Sequence, residues 1–220
     1  MKRLLTLLTF LLILFTSCDD NKFGGYTKEL LPANFSYKIL KDQSNIALEK
    51  NQLTVELSEK LTEDQVATLA EKLFKSKDKQ RRFYIFYLLP GMKDDLVAWA
   101  TSHFNPDLKI DIIGATPKEE ASANTAADKV DGEIVGKWHE EQYTSANYVI
   151  FKKDNRIFIR IIFKNGQTSD EELKSKKVSS GTRYDYKESG TNGEYFILSN
   201  IGGLEFYNKE NKRFTIATKL

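Results

Sequence analysis

Cysteine is nearly absent from this chain: Cys18 is the single copy in 220 residues. One cysteine excludes an intrachain disulfide, even in a compartment that would permit one. Histidine is almost as scarce, with only His103 and His139. In His139-Glu140-Glu141 the pair of histidines four residues apart that grips zinc from one helix face is missing. His139 and Glu141 share a face of an expected strand, but two ligands fall short of a structural zinc site. A surplus of positive charge is missing as well. The chain carries 33 Lys and Arg against 31 Asp and Glu; without Lys2 and Arg3, near the amino terminus, 31 face 31. Nucleic-acid binding draws most of its affinity from neutralised phosphates, so that class is not expected. The run Lys174-Ser175-Lys176-Lys177 reads as a solvated loop. There is no glycine-rich phosphate loop, nucleophile elbow or calcium loop, and Gly24-Gly25 and Gly202-Gly203 read as turns. Long apolar runs are confined to Leu4–Phe15, too short to span a bilayer.

That run has a context. Met1-Lys2-Arg3 is a basic start, Leu4–Phe15 is apolar apart from Thr6 and Thr9, and Thr16-Ser17-Cys18 closes it with small residues. The pattern is that of a secretory signal. Its end resembles the lipobox of bacterial lipoproteins, although Phe15 stands where that family favours Leu. The resemblance implies cleavage before Cys18, removal of residues 1–17, and a lipid on the Cys18 sulfur. The implied partner is therefore a bilayer, and the implied address is the cell envelope of a Gram-negative bacterium. There the chain is expected to be anchored to the outer membrane and to face the periplasm or the medium. Each buried methylene of an acyl chain contributes about 0.8 kcal/mol, so the two or three chains of this class hold firmly. Asp19-Asp20 fits either inner-membrane retention or surface export. Residues 18–33 read as a tether.

Residues 34–114 read as an α+β unit. Phe35–Ile39 and Leu53–Leu57 alternate apolar and polar residues at period two, as strands with one buried face do. Thr62 and Gln65 have the spacing of a capping box, and Val66, Leu69, Ala70, Leu73 and Phe74 form one stripe behind it. These predict a helix over Glu63–Ser76. Phe83–Leu89 is apolar or aromatic on both faces, which predicts a strand covered on each side. After a Pro90-Gly91-Met92 turn, Leu96–Phe104 and Leu108–Ile113 read as two further strands. The sheet is expected to be mixed or antiparallel with one helix packed on it. Tyr87-Leu88-Leu89-Pro90-Gly91-Met92, Ala98-Trp99-Ala100-Thr101-Ser102-His103-Phe104, Pro106 and Gly114 resemble the signature of an uncharacterised bacterial domain family. That signature is a hydrophobic strand, PGM, AWATxHF and a closing glycine. The resemblance spans residues 35–114 and implies no known activity.

Residues 115–131 lack aromatics and are rich in Ala, Glu, Lys, Ser and Thr, which reads as a linker, partly helical. Residues 132–220 alternate short β runs with turns, eight strands in all. Among the turns, Asn165-Gly166 predicts a type I′ hairpin. The spacing predicts an antiparallel meander that closes into a small barrel or curls strongly. Gly136-Lys137-Trp138 resembles the opening of lipocalin-like domains, in which a Trp plugs one barrel end. Strands this short point to an interior filled mainly by side chains.

The candidate functional residues are His103, Trp99 and Trp138, beside Cys18 for lipidation. Neighbours on a strand point to opposite faces, so Ser102 is a poor nucleophile partner for His103. The aromatic residues read mainly as core, with ligand contact by exposed rings as the alternative. The leading expectation is a binding or interaction module without catalysis, cofactor or metal. Its partner would be another envelope protein or a small apolar or glycan ligand. The competing class is an enzyme of unrecognised type centred on His103. Ser180-Gly181-Thr182-Arg183-Tyr184 also resembles the Ser-Gly-x-x-Tyr motif of membrane-bound inhibitors of c-type lysozyme. Those proteins are barrel lipoproteins too, but the disulfide associated with them cannot form here.

Overall fold

The computed structural model describes residues 22–45, 47–77, 82–188 and 193–220. The segment Met1–Cys18, with its signal and lipidation readings, and Asp19-Asp20 lie outside the described residues. The fold is α+β, a five-stranded mixed sheet followed by a closed eight-stranded barrel. No helix among the described residues is long and apolar enough to cross a membrane.

From Lys22 onward the stretch expected as a tether is docked on the first unit. Strands β1 (Lys22–Phe23) and β2 (Tyr26–Thr27) form a small hairpin. Gly24 turns it at φ +59°, where a Cβ would lie 2.7 Å from the Cβ of Leu108, so glycine alone fits. Phe23 packs 6.0 Å from the ring of Phe104, and the Tyr26 hydroxyl accepts the Ile110 N–H at 3.0 Å.

The sheet runs β3 (Tyr37–Asn45), β4 (Lys50–Leu57), β5 (Arg82–Leu88), β6 (Ala100–Phe104) and β7 (Leu108–Ile112), in that spatial order. Only β4 and β5 are parallel. A parallel pair needs a crossover, and α1 (Glu63–Lys75) supplies it. Both bonds of the Thr62–Gln65 capping box form, as its spacing predicts. The buried stripe of α1 covers Leu53, Val55, Phe83 and Ile85. Two expectations are corrected here. On the second face of β5, Tyr84 and Phe86 are only half-buried, because among the described residues no second helix covers that side. The strand expected from Leu96 starts at Ala100. Residues 93–99 instead cross that open face, laying Leu96 and Ala98 near Phe86 and Leu88.

Residues 115–131 contain α2 (Pro117–Ala127), started by a second capping box from Thr116 and Glu119 with Pro117 in the first turn. Ala123 and Ala127 pack on Val149 and Ile162 of the barrel wall. The barrel strands are β8 (Glu133–Glu140), β9 (Ala146–Lys153), β10 (Arg156–Ile162), β11 (Thr168–Val178), β12 (Gly181–Tyr186), β13 (Tyr195–Ser199), β14 (Leu204–Tyr207) and β15 (Arg213–Lys219). Each pairs antiparallel with the next, and β15 closes on β8. The interior holds Trp138, Tyr148, Ile150, Ile159, Leu173, Phe196 and Phe206. The lysine run at 174–177 belongs to β11, not to a loop, with its side chains exposed.

The hairpin expectation is corrected too. At Asn165-Gly166 only Gly166 has positive φ, and its N–H bonds the Phe163 carbonyl, so a three-residue loop closes this hairpin. The type I′ geometry, with both central residues at positive φ, belongs to Asp154-Asn155 between β9 and β10. The longer loop projects Lys164 onto the first unit. There its ammonium donates to the carbonyls of Ile112, Ile113 and Gly114 at 3.2, 2.6 and 3.1 Å.

Candidate binding cleft between the two units

The loop from β8 to β9 is built on one carboxylate. Glu140 is 1% exposed, and its Oε1 accepts the Gln142 N–H at 3.1 Å and the Thr215 hydroxyl at 2.8 Å. Its Oε2 accepts the Thr144 N–H at 2.8 Å and the Thr144 hydroxyl at 2.9 Å, and the Tyr143 N–H is shared between the two oxygens. Buried charge is tolerated only when hydrogen bonds replace water, and here they do. The loop is thereby turned toward the first unit. Ala115 donates its N–H to Ser145 Oγ at 2.9 Å, while Gln142 Nε2 donates to the Lys93 carbonyl at 2.8 Å.

Beside this loop a polar chain crosses the junction. His139 Nε2 lies 2.8 Å from Glu141 Oε2, and Nδ1 lies 2.7 Å from Asn147 Oδ1. Asn147 in turn donates to Asn124 of α2 at 2.8 Å. Lys60, in the turn before α1, reaches Glu141 at 2.8 Å and Glu120 of α2 at 3.1 Å. Burial by itself lowers the pKa of His139, but the hydrogen bonds of Glu141 and Asn147 and the Glu141 charge outweigh it, so the net shift is upward. Burial likewise raises that of Glu141, and His139 and Lys60 more than reverse it, leaving the carboxyl below its ordinary value.

Next to these groups opens a cleft of about 550 Å³. One wall is the turn Leu89-Pro90-Gly91-Met92-Lys93 with Leu96, from the first unit. The other is the barrel rim, from His139 to Tyr143 and from Arg213 to Ile216. The lining mixes apolar side chains (Met92, Leu96, Tyr143, Phe214, Ile216) with donors and acceptors (Lys93, His139, Gln142, Arg213, Thr215). Such mixed concave surfaces of a few hundred Å³ are the usual form of ligand sites.

Of the residues singled out in the sequence, His139, Glu141 and the Pro90-Gly91-Met92 turn line the cleft, while Trp99, Trp138 and His103 fall elsewhere. Trp99 is 1% exposed and donates Nε1–H to the Ala115 carbonyl at 3.0 Å. Gly114 gives it room, since a Cβ there would come within 2.3 Å of the indole. Trp138 is 2% exposed and donates to the Gly202 carbonyl, in the turn between β13 and β14, at 2.7 Å. Gly136 shares its strand face, and a Cβ there would sit 2.3 Å from the indole ring. The Gly-x-Trp spacing is thus a packing requirement. His103 is half-buried on the open sheet face, its ring 5.0 Å from that of Tyr84. Ser102 points the other way and donates to the Tyr87 hydroxyl at 2.9 Å, as strand alternation predicts. Burial raises the pKa of that tyrosine strongly. Among the described residues no cluster of three or more His, Cys, Asp or Glu is placed to hold a metal.

The chain matches no family model, no curated protein and no solved structure. Lys60, Glu120, Asn124 and Asn147 carry no sequence signal for the junction, because three separate segments bring them together. His139 and Glu141 did carry one, their i, i+2 spacing in an expected strand; β8 ends at Glu140, one residue short of Glu141, and the two make direct contact.

Proposed function

We propose that this chain is a binding module of the bacterial cell envelope, anchored to the outer membrane through a lipid on Cys18. The cleft between the α+β unit and a lipocalin-like barrel is its ligand site. The single observation that carries the reading is the cleft itself: about 550 Å³, lined by apolar side chains together with hydrogen-bonding and charged ones. Its partner is an envelope protein or a small apolar or glycan ligand. Two tests separate address from activity. Alkyne-palmitate fed to expressing cells should label the wild-type chain and not Cys18→Ser; equal labelling would overturn the anchor. A photo-crosslinking residue replacing Tyr143, 48% exposed in the cleft wall, should capture adducts that the same residue at Lys176, on the outer strand β11, does not. Identical adducts from both positions would overturn the site.

One observation favours a second reading. Ser180 is exposed at the turn between β11 and β12 of an eight-stranded barrel, a placement like that of the loop serine in lysozyme inhibitors. Purified protein that fails to slow c-type lysozyme removes it.

A further inference from the structure

The barrel is not closed along its whole seam. Strand β15 pairs with β14 from Leu204 to Tyr207, but with β8 only at Thr218 and Lys219. The cause is Glu140: β8 ends there, and the carboxylate draws residues 142–144 back into its own loop. From Arg213 to Ala217, β15 therefore has no strand neighbour on that side among the described residues.

Alternation decides which main-chain groups are left over. Leu220 donates its N–H to the Lys137 carbonyl at 3.0 Å. Residues 220, 218 and 216 thus face the β8 side, while 217 and 215 face β14. The N–H and C=O of Ile216 therefore lie on the β8 side, where β8 offers no partner and where Ile216 lines the cleft. Beyond it, Phe214 is the extra residue of a β-bulge against Phe206 and Tyr207, a device that commonly ends pairing beside a site.

A free strand edge offers one donor and one acceptor every second residue, and only another extended backbone matches that spacing. Ordinary edges are dangerous because a second sheet can pair with them. This one lies within a cleft whose other wall is the Pro90-Gly91-Met92 turn. The charges on the walls are also uneven. Glu140 and Glu141 are engaged by donors from the chain itself, and Arg213 is held by Glu205 at 2.6 Å. Lys93 lines the cleft, is exposed, and has no carboxylate partner among the described residues.

We propose that the cleft receives an extended peptide segment of a partner protein, added as a strand to the free edge of β15, with an acidic side chain of that segment on Lys93. The proposal rests on the cleft being the ligand site and names its occupant. The test uses the full lipidated chain in detergent, panned against phage-displayed random twelve-residue peptides. Enriched sequences should contain Asp or Glu, and on binding the Ile216 amide should become protected from hydrogen exchange. N-methylation at alternate peptide residues should weaken binding about fivefold or more, and at the intervening residues much less. Lys93→Glu, at a solvent-facing position, should weaken acidic peptides about tenfold. The proposal is overturned if no peptide is enriched, if Ile216 stays unprotected, or if both N-methylation series weaken binding equally. The Tyr143 crosslink separates this from the parent reading. Capture there of a glycan or an apolar small molecule, with no peptide enriched, keeps the cleft as the ligand site and removes the peptide.

Discussion

Replacing Glu140 by glutamine is the most informative single change, because it keeps shape and removes only charge and one acceptor. Three of the donors around the carboxylate are backbone N–H groups, of Gln142, Tyr143 and Thr144, and cannot rotate away. The Thr144 and Thr215 hydroxyls can turn to accept instead. An amide NH₂ in either oxygen position faces at least one fixed N–H, and an orphaned buried donor costs about 1–3 kcal/mol. The remaining donors exchange a charged acceptor for a neutral one, about 1 kcal/mol more in total. We expect a loss of about 3 kcal/mol, and a melting temperature lower by about 6–12 °C if the chain unfolds as one unit. Circular dichroism melting measures the first effect. Hydrogen exchange at residues 142–144, which should quicken before global unfolding, measures the second. A glutamine variant that melts within about 1 °C of wild type would refute the claim that this carboxylate builds the cleft rim.

The junction should also respond to pH. His139 is raised above 6.5, so the stability it contributes is complete below that value and is lost as pH rises through its folded pKa. Glu141 is lowered from 4.5, so its contribution is present above that value and is lost as pH falls through the folded pKa. The pair contributes most between pH 4.5 and 6.5. His139→Gln should flatten the decline in melting temperature above that window, and an unchanged slope would count against the ion pair. Gly136→Ala forces a methyl to within 2.3 Å of the fixed Trp138 ring, and should cost about 1–3 kcal/mol in a denaturant titration. Lys164→Met leaves three carbonyls of the first unit unbonded. It should cost about 1.5–3 kcal/mol and speed proteolysis near residue 114, while a variant as resistant as wild type would show that the latch is dispensable.

Local rules were readable wherever the physics is local. The Thr62–Gln65 box, the stripe on α1 and the eight β runs each depend on neighbours within a few residues, and all appear in the fold. Errors arose where a distant partner chose between local options. Leu96–Trp99 has strand-like composition, yet Trp99 is drawn inward by the Ala115 carbonyl and the segment bends. Asn165-Gly166 could have formed a tight type I′ turn, yet its loop is longer, and Lys164 sits on three carbonyls of another unit. The apolar character of Phe83–Leu89 announced burial without saying that one side would be covered by a crossing strap instead of a helix.

The amino-acid order alone determined the class of the fold and the division into a helix-backed sheet and a β-meander. The tertiary structure alone decided where a ligand could sit. The cleft is made of the Pro90–Met92 turn, a loop gathered around Glu140 and an unpaired stretch of β15. No spacing rule links segments more than forty residues apart; they meet because a buried carboxylate ends one strand early and leaves its neighbour without a partner.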